Sequence, residues 1–170
     1  MSQMLEMICS RRSCRSFHKT DVEREKLEQL VTAACNAPSA RNRQLWQFTV
    51  VTQTQDLSEL YTAVGAALGR EDYGFYGANC MILCSNDREH PFGREDCACA
   101  MENIMLCAHA LDLGSVWINQ LTSTCDDARV RSILSRLGVP ENHVVYGCAA
   151  LGYRASEPTE KTVSYPVVWN

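Results

Sequence analysis

At 170 residues the chain has the length of one domain, 1–170, and can bury a core without help from metals or disulfides. A hydrophobic fraction of 46% and a charged fraction of 21% are those of a soluble globular protein, and a net charge of −4 argues against nucleic acid as a partner. No apolar run reaches the roughly 18 residues of a membrane helix. The start, Met1-Ser2-Gln3-Met4, lacks a basic region followed by an apolar core, so the expected location is the cytoplasm, with no membrane partner.

Residues 3–12 place Met4, Leu5, Met7 and Ile8 in a helical stripe. A second helix is expected over 22–36, capped by Asp21, with Leu27, Leu30, Val31 and Ala34 on one face and Pro38 after its end. Trp46, Phe48, Val50 and Val51 predict a strand over 46–52, and a helix starts at Thr54 or Asp56 and runs to about 68. A buried strand is read over 79–85. The longest apolar helix is read over 94–113, with Gly114 as its C-cap. A strand at 115–120 follows, then a helix from Thr124 or Asp126 to Leu137-Gly138, a strand at 143–152, and an extended tail over 157–170. The count is five helices and four strands, an α+β class with helices packed on a small sheet. The apolar tail segment Val163-Ser164-Tyr165-Pro166-Val167-Val168-Trp169 lies along its own domain or embraces a partner subunit.

The ten cysteines show no C-x-x-C spacing and read as small hydrophobes in a reducing compartment, with Cys97, Cys99 and Cys107 in the buried helix. Cys14, among arginines, is the best candidate for a reactive thiol.

Two segments carry chemistry. Arg11-Arg12-Ser13-Cys14-Arg15-Ser16-Phe17 offers three guanidinium groups and a hydroxyl close together, an inventory that suits a terminal phosphate. If the first helix continues, Arg11 and Arg15 share a face at i and i+4. The bland alternative is a basic helix end that complements the macrodipole. Ala37-Pro38-Ser39-Ala40-Arg41-Asn42-Arg43-Gln44-Leu45-Trp46 is a polar loop running into a strand, able to meet the edge of a planar heterocycle. Its bland alternative is an ordinary turn. No G-x-G-x-x-G occurs, so a Rossmann dinucleotide site is absent.

In this order, Arg11-Arg12-Ser13-x-Arg15-x-Phe17, Ala37-Pro38-Ser39-x-x-Asn42-x-Gln44-x-Trp46-x-Phe48, His109-Ala110-Leu111-x-Leu113-Gly114-Ser115, Trp117-Ile118-Asn119 and Ala150-Leu151-Gly152-Tyr153 resemble the nitroreductase family of FMN-dependent oxidoreductases over nearly the whole chain. The resemblance implies a nitroreductase-like α+β fold with a mostly antiparallel sheet. It implies a homodimer with FMN at the subunit interface and a C-terminal arm crossing to the partner. It also places the FMN phosphate at Arg11 and Ser13, with Arg12 beside them, and the ribityl chain or pyrimidine edge at Arg15. Pro38, Ser39, Asn42 and Gln44 meet the ring, often from the other subunit, and the backbone of Ile118, Asn119 and Gln120 lies near its reactive nitrogen. Lys161 is the tail's candidate phosphate contact. Trp46 reads as core, and His109 as a satisfied core or interface histidine. His18, His90 and His143 have no case for catalysis.

The family departures are Leu45, where proline is frequent, and a short connection at Gly69 to Gly77 where larger members carry extra helices. The implied reaction is ping-pong, with no catalytic side chain: NAD(P)H reduces FMN, then a small-molecule acceptor such as a nitroaromatic or quinone is reduced. The alternatives are a specialised member that dehalogenates or cleaves flavin, and a non-catalytic flavin-binding or storage protein.

Overall fold

The structure is a computed structural model that describes residues 1–157, 159 and 161–170; of the expected extended tail, Pro158 and Glu160 lie outside the described residues. Among the described residues six α-helices, α1 (Gln3–Ser10), α2 (Arg24–Cys35), α3 (Thr54–Ala67), α4 (Gly93–Ala110), α5 (Leu121–Thr124) and α6 (Ala128–Arg136), surround one four-stranded sheet. The strands β1 (Trp46–Val51), β2 (Cys80–Asp87), β3 (Leu113–Ile118) and β4 (His143–Tyr153) run in the order β1-β2-β4-β3, antiparallel throughout. The α+β class therefore holds.

Alternation along β2 and β4 makes the sheet the middle of three layers, because successive side chains leave opposite faces. Cys80, Ile82, Cys84, Ala149 and Leu151 pack with Leu27, Leu30 and Ala34 of α2 and with Ala100, Met101 and Ile104 of α4. Met81, Leu83, Cys148 and Ala150 face Leu57, Leu60 and Val64 of α3 and Val130 and Leu134 of α6. Each fully buried leucine contributes about 1.5–3 kcal/mol of transfer free energy. The β2–β4 pairing steps from Cys84↔Gly147 to Ser85↔Val145, so Tyr146 is the extra residue of a bulge.

Several element ends differ from the sequence reading. The first helix stops at Ser10 and not at 12. Glu23 caps α2 in place of Asp21, and its carboxylate accepts the Tyr153 hydroxyl at 2.6 Å in place of a helix N–H. The central helix ends at Ala110, not at 113: Asp112 turns the chain in the left-handed region at φ 59°, and Leu113 reaches the core as the first residue of β3. Gly114 is consequently a strand residue and not a C-cap. A short helix, α5, precedes α6, whose N-cap is Asp127, accepting the Arg129 N–H at 3.0 Å, rather than Thr124 or Asp126. Cys97 is buried in α4, but Cys99 is exposed and Cys107 only half-buried. Burial pushes the Cys80 thiol up to about 12 and the Cys148 thiol upward as well, so these are inert packing groups. Among the described residues no helix is long and apolar enough to cross a membrane.

Candidate functional site

The arginine segment does not continue α1. Arg11 is the C-cap, its N–H donating to the Met7 carbonyl at 3.1 Å, and the chain then runs extended along the sheet edge. Ser13 bridges Ser115 in parallel, the Cys14 N–H donates to the Ser115 carbonyl at 2.9 Å, and Phe17 bridges Arg154. The expectation that Arg11 and Arg15 share a helical face is therefore corrected: sheet partners satisfy the backbone here, so a further helical turn has no advantage.

Two glycines make the approach possible. Gly114 and Gly152 are register partners across β3 and β4. A Cβ on Gly114 would lie 2.8 Å from Cβ and Sγ of Cys14 and from Cγ of Arg154, and one on Gly152 would lie 3.1 Å from the Phe17 ring. Cys14, the candidate reactive thiol, fills this groove: it is buried and its Sγ donates to the Ser16 carbonyl at 3.0 Å.

The charges here want an anion. Nη1 of Arg11 is buried with no hydrogen-bond partner, a costly state for a guanidinium nitrogen. Arg154 lies 3.8 Å from exposed Asp112. His109 of α4 has Nε2 2.8 Å from Oγ of Ser10, and burial, then the Arg154 and Arg11 guanidinium groups, hold its pKa below the ordinary histidine value. Arg12 takes the helix-end role, with Nη1 donating to the carbonyls of Cys9 at 2.6 Å and Arg11 at 2.8 Å. Arg15 is exposed, and its Cζ sits 5.9 Å from the ring centroid of Tyr76. Half-buried Ser13 lies between them in the chain.

The second segment is anchored elsewhere. Pro38, Asn42 and Gln44 are exposed and Ser39 is half-buried. A single 3₁₀ turn covers Ala40–Asn42, and the Ala40 N–H donates to Oδ1 of Asp96 in the first turn of α4 at 2.8 Å. Asp96 and His109 are thirteen positions apart on one helix, about 20 Å at the α-helical rise. Within one chain, then, the arginine segment meets the end of α4 and the 38–44 loop meets its beginning.

Ile118, Asn119 and Gln120 stand at the far end of β3 from Ser115. Ile118 is buried in the core, and the exposed Asn119 donates its N–H to Oε1 of Gln120 at 3.1 Å. Lys161 is exposed in a segment, 161–170, that forms neither helix nor strand. Trp46 packs against the α2–α4 core, with its ring 5.6 Å from that of Phe48.

Sequence reasoning missed Tyr76, Arg154 and the His90–Asp96 pair. Tyr76 is 61 positions from Arg15 and carries no local signal. Arg154 directly follows the Gly152-Tyr153 piece, so a basic residue beside a motif glycine was a usable sign.

A family model described as the nitroreductase family matches residues 8–153. An Archaeoglobus fulgidus protein with a provisional NADH dehydrogenase/NAD(P)H nitroreductase name is 32% identical, with 92% of this chain and 88% of that protein covered. A nitroreductase crystallised with bound FMN from Bacteroides fragilis superposes with a TM-score of 0.95 at 37% identity, covering 100% of this chain and 99% of that one. Another with bound FMN, from Desulfitobacterium hafniense, gives a TM-score of 0.85 at 26% identity over 98% and 100% of the two chains.

Proposed function

This chain belongs to the nitroreductase family, and from that membership we propose that it is an FMN-dependent NAD(P)H oxidoreductase. The observation that carries the reading is the buried, unpartnered Nη1 of Arg11, in a cluster with Arg154 and a histidine whose pKa is held low. A phosphate supplies the missing charge and several acceptor oxygens at once, so the donor set fits the terminal group of FMN. Arg11 and Ser13 would hold that phosphate, with Arg12 closing α1 beside them.

When bound, FMN would supply the redox chemistry, accepting hydride from NAD(P)H and passing two electrons to an acceptor such as a nitroaromatic or quinone in a ping-pong cycle. The residues supply placement and field. Arg15, with Tyr76 against its guanidinium, is a cation suited to the negative charge that reduction leaves on a pyrimidine edge. Ser39, Asn42 and Gln44 offer hydroxyl and amide groups on a loop, and Pro38 stiffens its entry. Just past the end of β3, the Asn119 N–H, which donates to Oε1 of Gln120 in the flavin-free chain, would turn to the ring once the Gln120 side chain moves aside.

We further propose that the working unit is a homodimer in which the 38–44 loop of one copy completes the arginine site of the other. The roughly 20 Å along α4 between the two anchor points, Asp96 and His109, supports this, because it keeps the loop and the arginine segment of one chain at opposite ends of that helix. Exposed apolar groups argue the same way: Met4, Leu5 and Ile8 on α1, and Val163, Tyr165, Val167, Val168 and Trp169 in the tail. A cavity of about 790 Å³ beside the edge strand β1, lined by Val22, Leu27, Val31, Phe48 and Val50 among others, suits the apolar tail of a second copy, with Lys161 brought along as a phosphate contact.

The test is direct. The purified protein should be yellow and release FMN, not FAD, on denaturation. Anaerobic mixing with NADH or NADPH should rapidly bleach the visible flavin band, and a quinone or nitroaromatic should restore it. A protein that binds no flavin after reconstitution, or holds flavin that neither nicotinamide reduces, would overturn the reading; the second result would favour a storage role.

A further inference from the structure

The 38–44 loop is held in a backbone shape that two of its residues, Arg41 and Gln44, do not favour. Arg41, Asn42 and Gln44 have φ of 55°, 54° and 50°, in the left-handed region. Asparagine tolerates that region, whereas the long side chains of Arg41 and Gln44 are strained there and stay when the surroundings hold them. Inside the loop, the Gln44 N–H donates to Oγ of Ser39 at 3.2 Å and Nε2 of Gln44 to Oδ1 of Asn42 at 2.6 Å. Among the described residues, one hydrogen bond from positions 39–44 reaches the rest of the fold, the 2.8 Å bond from the Ala40 N–H to Oδ1 of Asp96.

Asp96 is unusually placed for a surface anchor. It is 3% exposed, and its other oxygen, Oδ2, lies 2.9 Å from Nε2 of His90, which is 6% exposed. A buried carboxylate needs both oxygens engaged, and here each has one partner. The loop's Ala40, Arg41 and Arg43 face His90, Pro91 and Phe92 across a cavity of about 110 Å³. The carboxylate thus joins three things: the start of α4, the 90–92 turn, and the strained loop that offers Ser39 and Asn42 to a cofactor.

We propose that Asp96, oriented by His90, is a positioning residue that holds the 38–44 loop in its strained shape and so sets the grip of Ser39 and Asn42 on FMN. The inference rests on the FMN reading above and adds a residue pair that touches neither cofactor nor substrate. A carboxylate serves because it accepts from the backbone and from the imidazole together. An amide keeps half of this: in Asp96→Asn, Oδ1 still accepts from Ala40, but donation by the amide nitrogen to Nε2 puts the His90 proton on Nδ1, which is buried with no hydrogen-bond partner. Leucine, of similar size, does neither.

Asp96→Leu, Asp96→Asn and the wild type are compared by amide exchange of the flavin-free proteins, FMN dissociation constant and visible flavin spectrum. Asp96→Leu should speed exchange over 41–45 by about tenfold or more while the middle of α4 stays protected, and should raise the FMN dissociation constant by about tenfold, the loss of one charge-assisted bond. Its flavin band should shift, and Asp96→Asn, which keeps the Ala40 bond, should fall between wild type and Asp96→Leu on both counts. A purely structural carboxylate would lower thermal stability and leave the spectrum and FMN affinity of the folded variant alone; that result overturns the proposal. If Asp96→Leu does not fold, Ala40→Pro removes the N–H and leaves the buried pair in place, and unchanged exchange and FMN affinity in that variant overturn it equally. A wild type that binds no FMN overturns the functional reading and this role together, whereas a wild type that binds it and a Leu variant that binds it as well overturn this role alone.

Discussion

Gly114 and Gly152 face each other across β3 and β4, and the bare backbone between them is the floor on which Cys14 and Phe17 lie. That floor sets the height of the arginine segment above the sheet. Gly114→Ala puts a methyl 2.8 Å from Cys14 and Arg154, so the segment must lift. The overpacking should cost about 1–3 kcal/mol in urea denaturation. Loss of FMN affinity should accompany it, because Arg11 and Ser13 move with Cys14. Gly152→Ala, with 3.1 Å to the Phe17 ring, should be milder on both measurements.

Arg11→Met separates binding from stability. The guanidinium nitrogen is buried without a partner, so removing its charge should leave the flavin-free protein as stable as wild type or more so. FMN binding should weaken by about 1.5–3 kcal/mol, the scale of a hydrogen bond to a charged group. Titration calorimetry with FMN and a thermal melt of the apoprotein check the two halves. An unchanged FMN dissociation constant would mean that the arginine cluster only closes α1.

Tyr76→Ala should loosen Arg15. A cation resting on an exposed ring gains about 0.5–1 kcal/mol, so the effect on FMN affinity should be a few-fold, with Tyr76→Phe close to wild type because the ring carries the contact. An Ala variant equal to wild type would show that Arg15 does not use the ring.

His109 gives a pH dependence with a definite sign. Burial first, then Arg154 and Arg11, depress its folded pKa, and burial likewise depresses that of His143. The unfolded chain therefore binds more protons near the ordinary histidine value of 6.5. Stability is full above that pH and falls as pH drops through the folded values. His109→Gln should flatten part of this fall in denaturant titrations between about pH 7.5 and 5.5. Bound FMN, by placing an anion beside Arg11, should raise the pKa of His109, readable by NMR of its ring protons; no change on FMN addition would separate His109 from the phosphate site.

Deleting residues 159–170 should weaken both dimerisation and flavin retention. The tail exposes Val163, Tyr165, Val167, Val168 and Trp169 in one chain, and covering apolar surface gains about 25 cal/mol per Å². Sedimentation of the truncated protein decides it. A stable, fully loaded dimer without the tail would remove the crossing arm from the scheme.

Local patterns carry their own instructions, and those were readable. The short buried apolar run of β2, the stripe Leu27, Leu30 and Ala34 on α2, and the arginine run from Arg11 to Arg15 each act within a few residues, so periodicity and side-chain chemistry expose them in the sequence. The nitroreductase resemblance was legible for the same reason: its pieces are short and ordered along the chain. What the sequence could not show is decided by contacts between distant residues. Leu113 continues the helical stripe of α4 in sequence, yet pairing opposite Tyr153 makes it strand. Arg11 and Arg15 lose their shared face because Ser115, a hundred positions on, offers backbone partners. Tyr76 comes under Arg15, and Asp96 under Ala40, only after the sheet and α4 have packed. Local propensity names the parts, whereas long-range backbone pairing and burial determine which parts meet, and in this protein the meeting of the parts sets the shape of the candidate site.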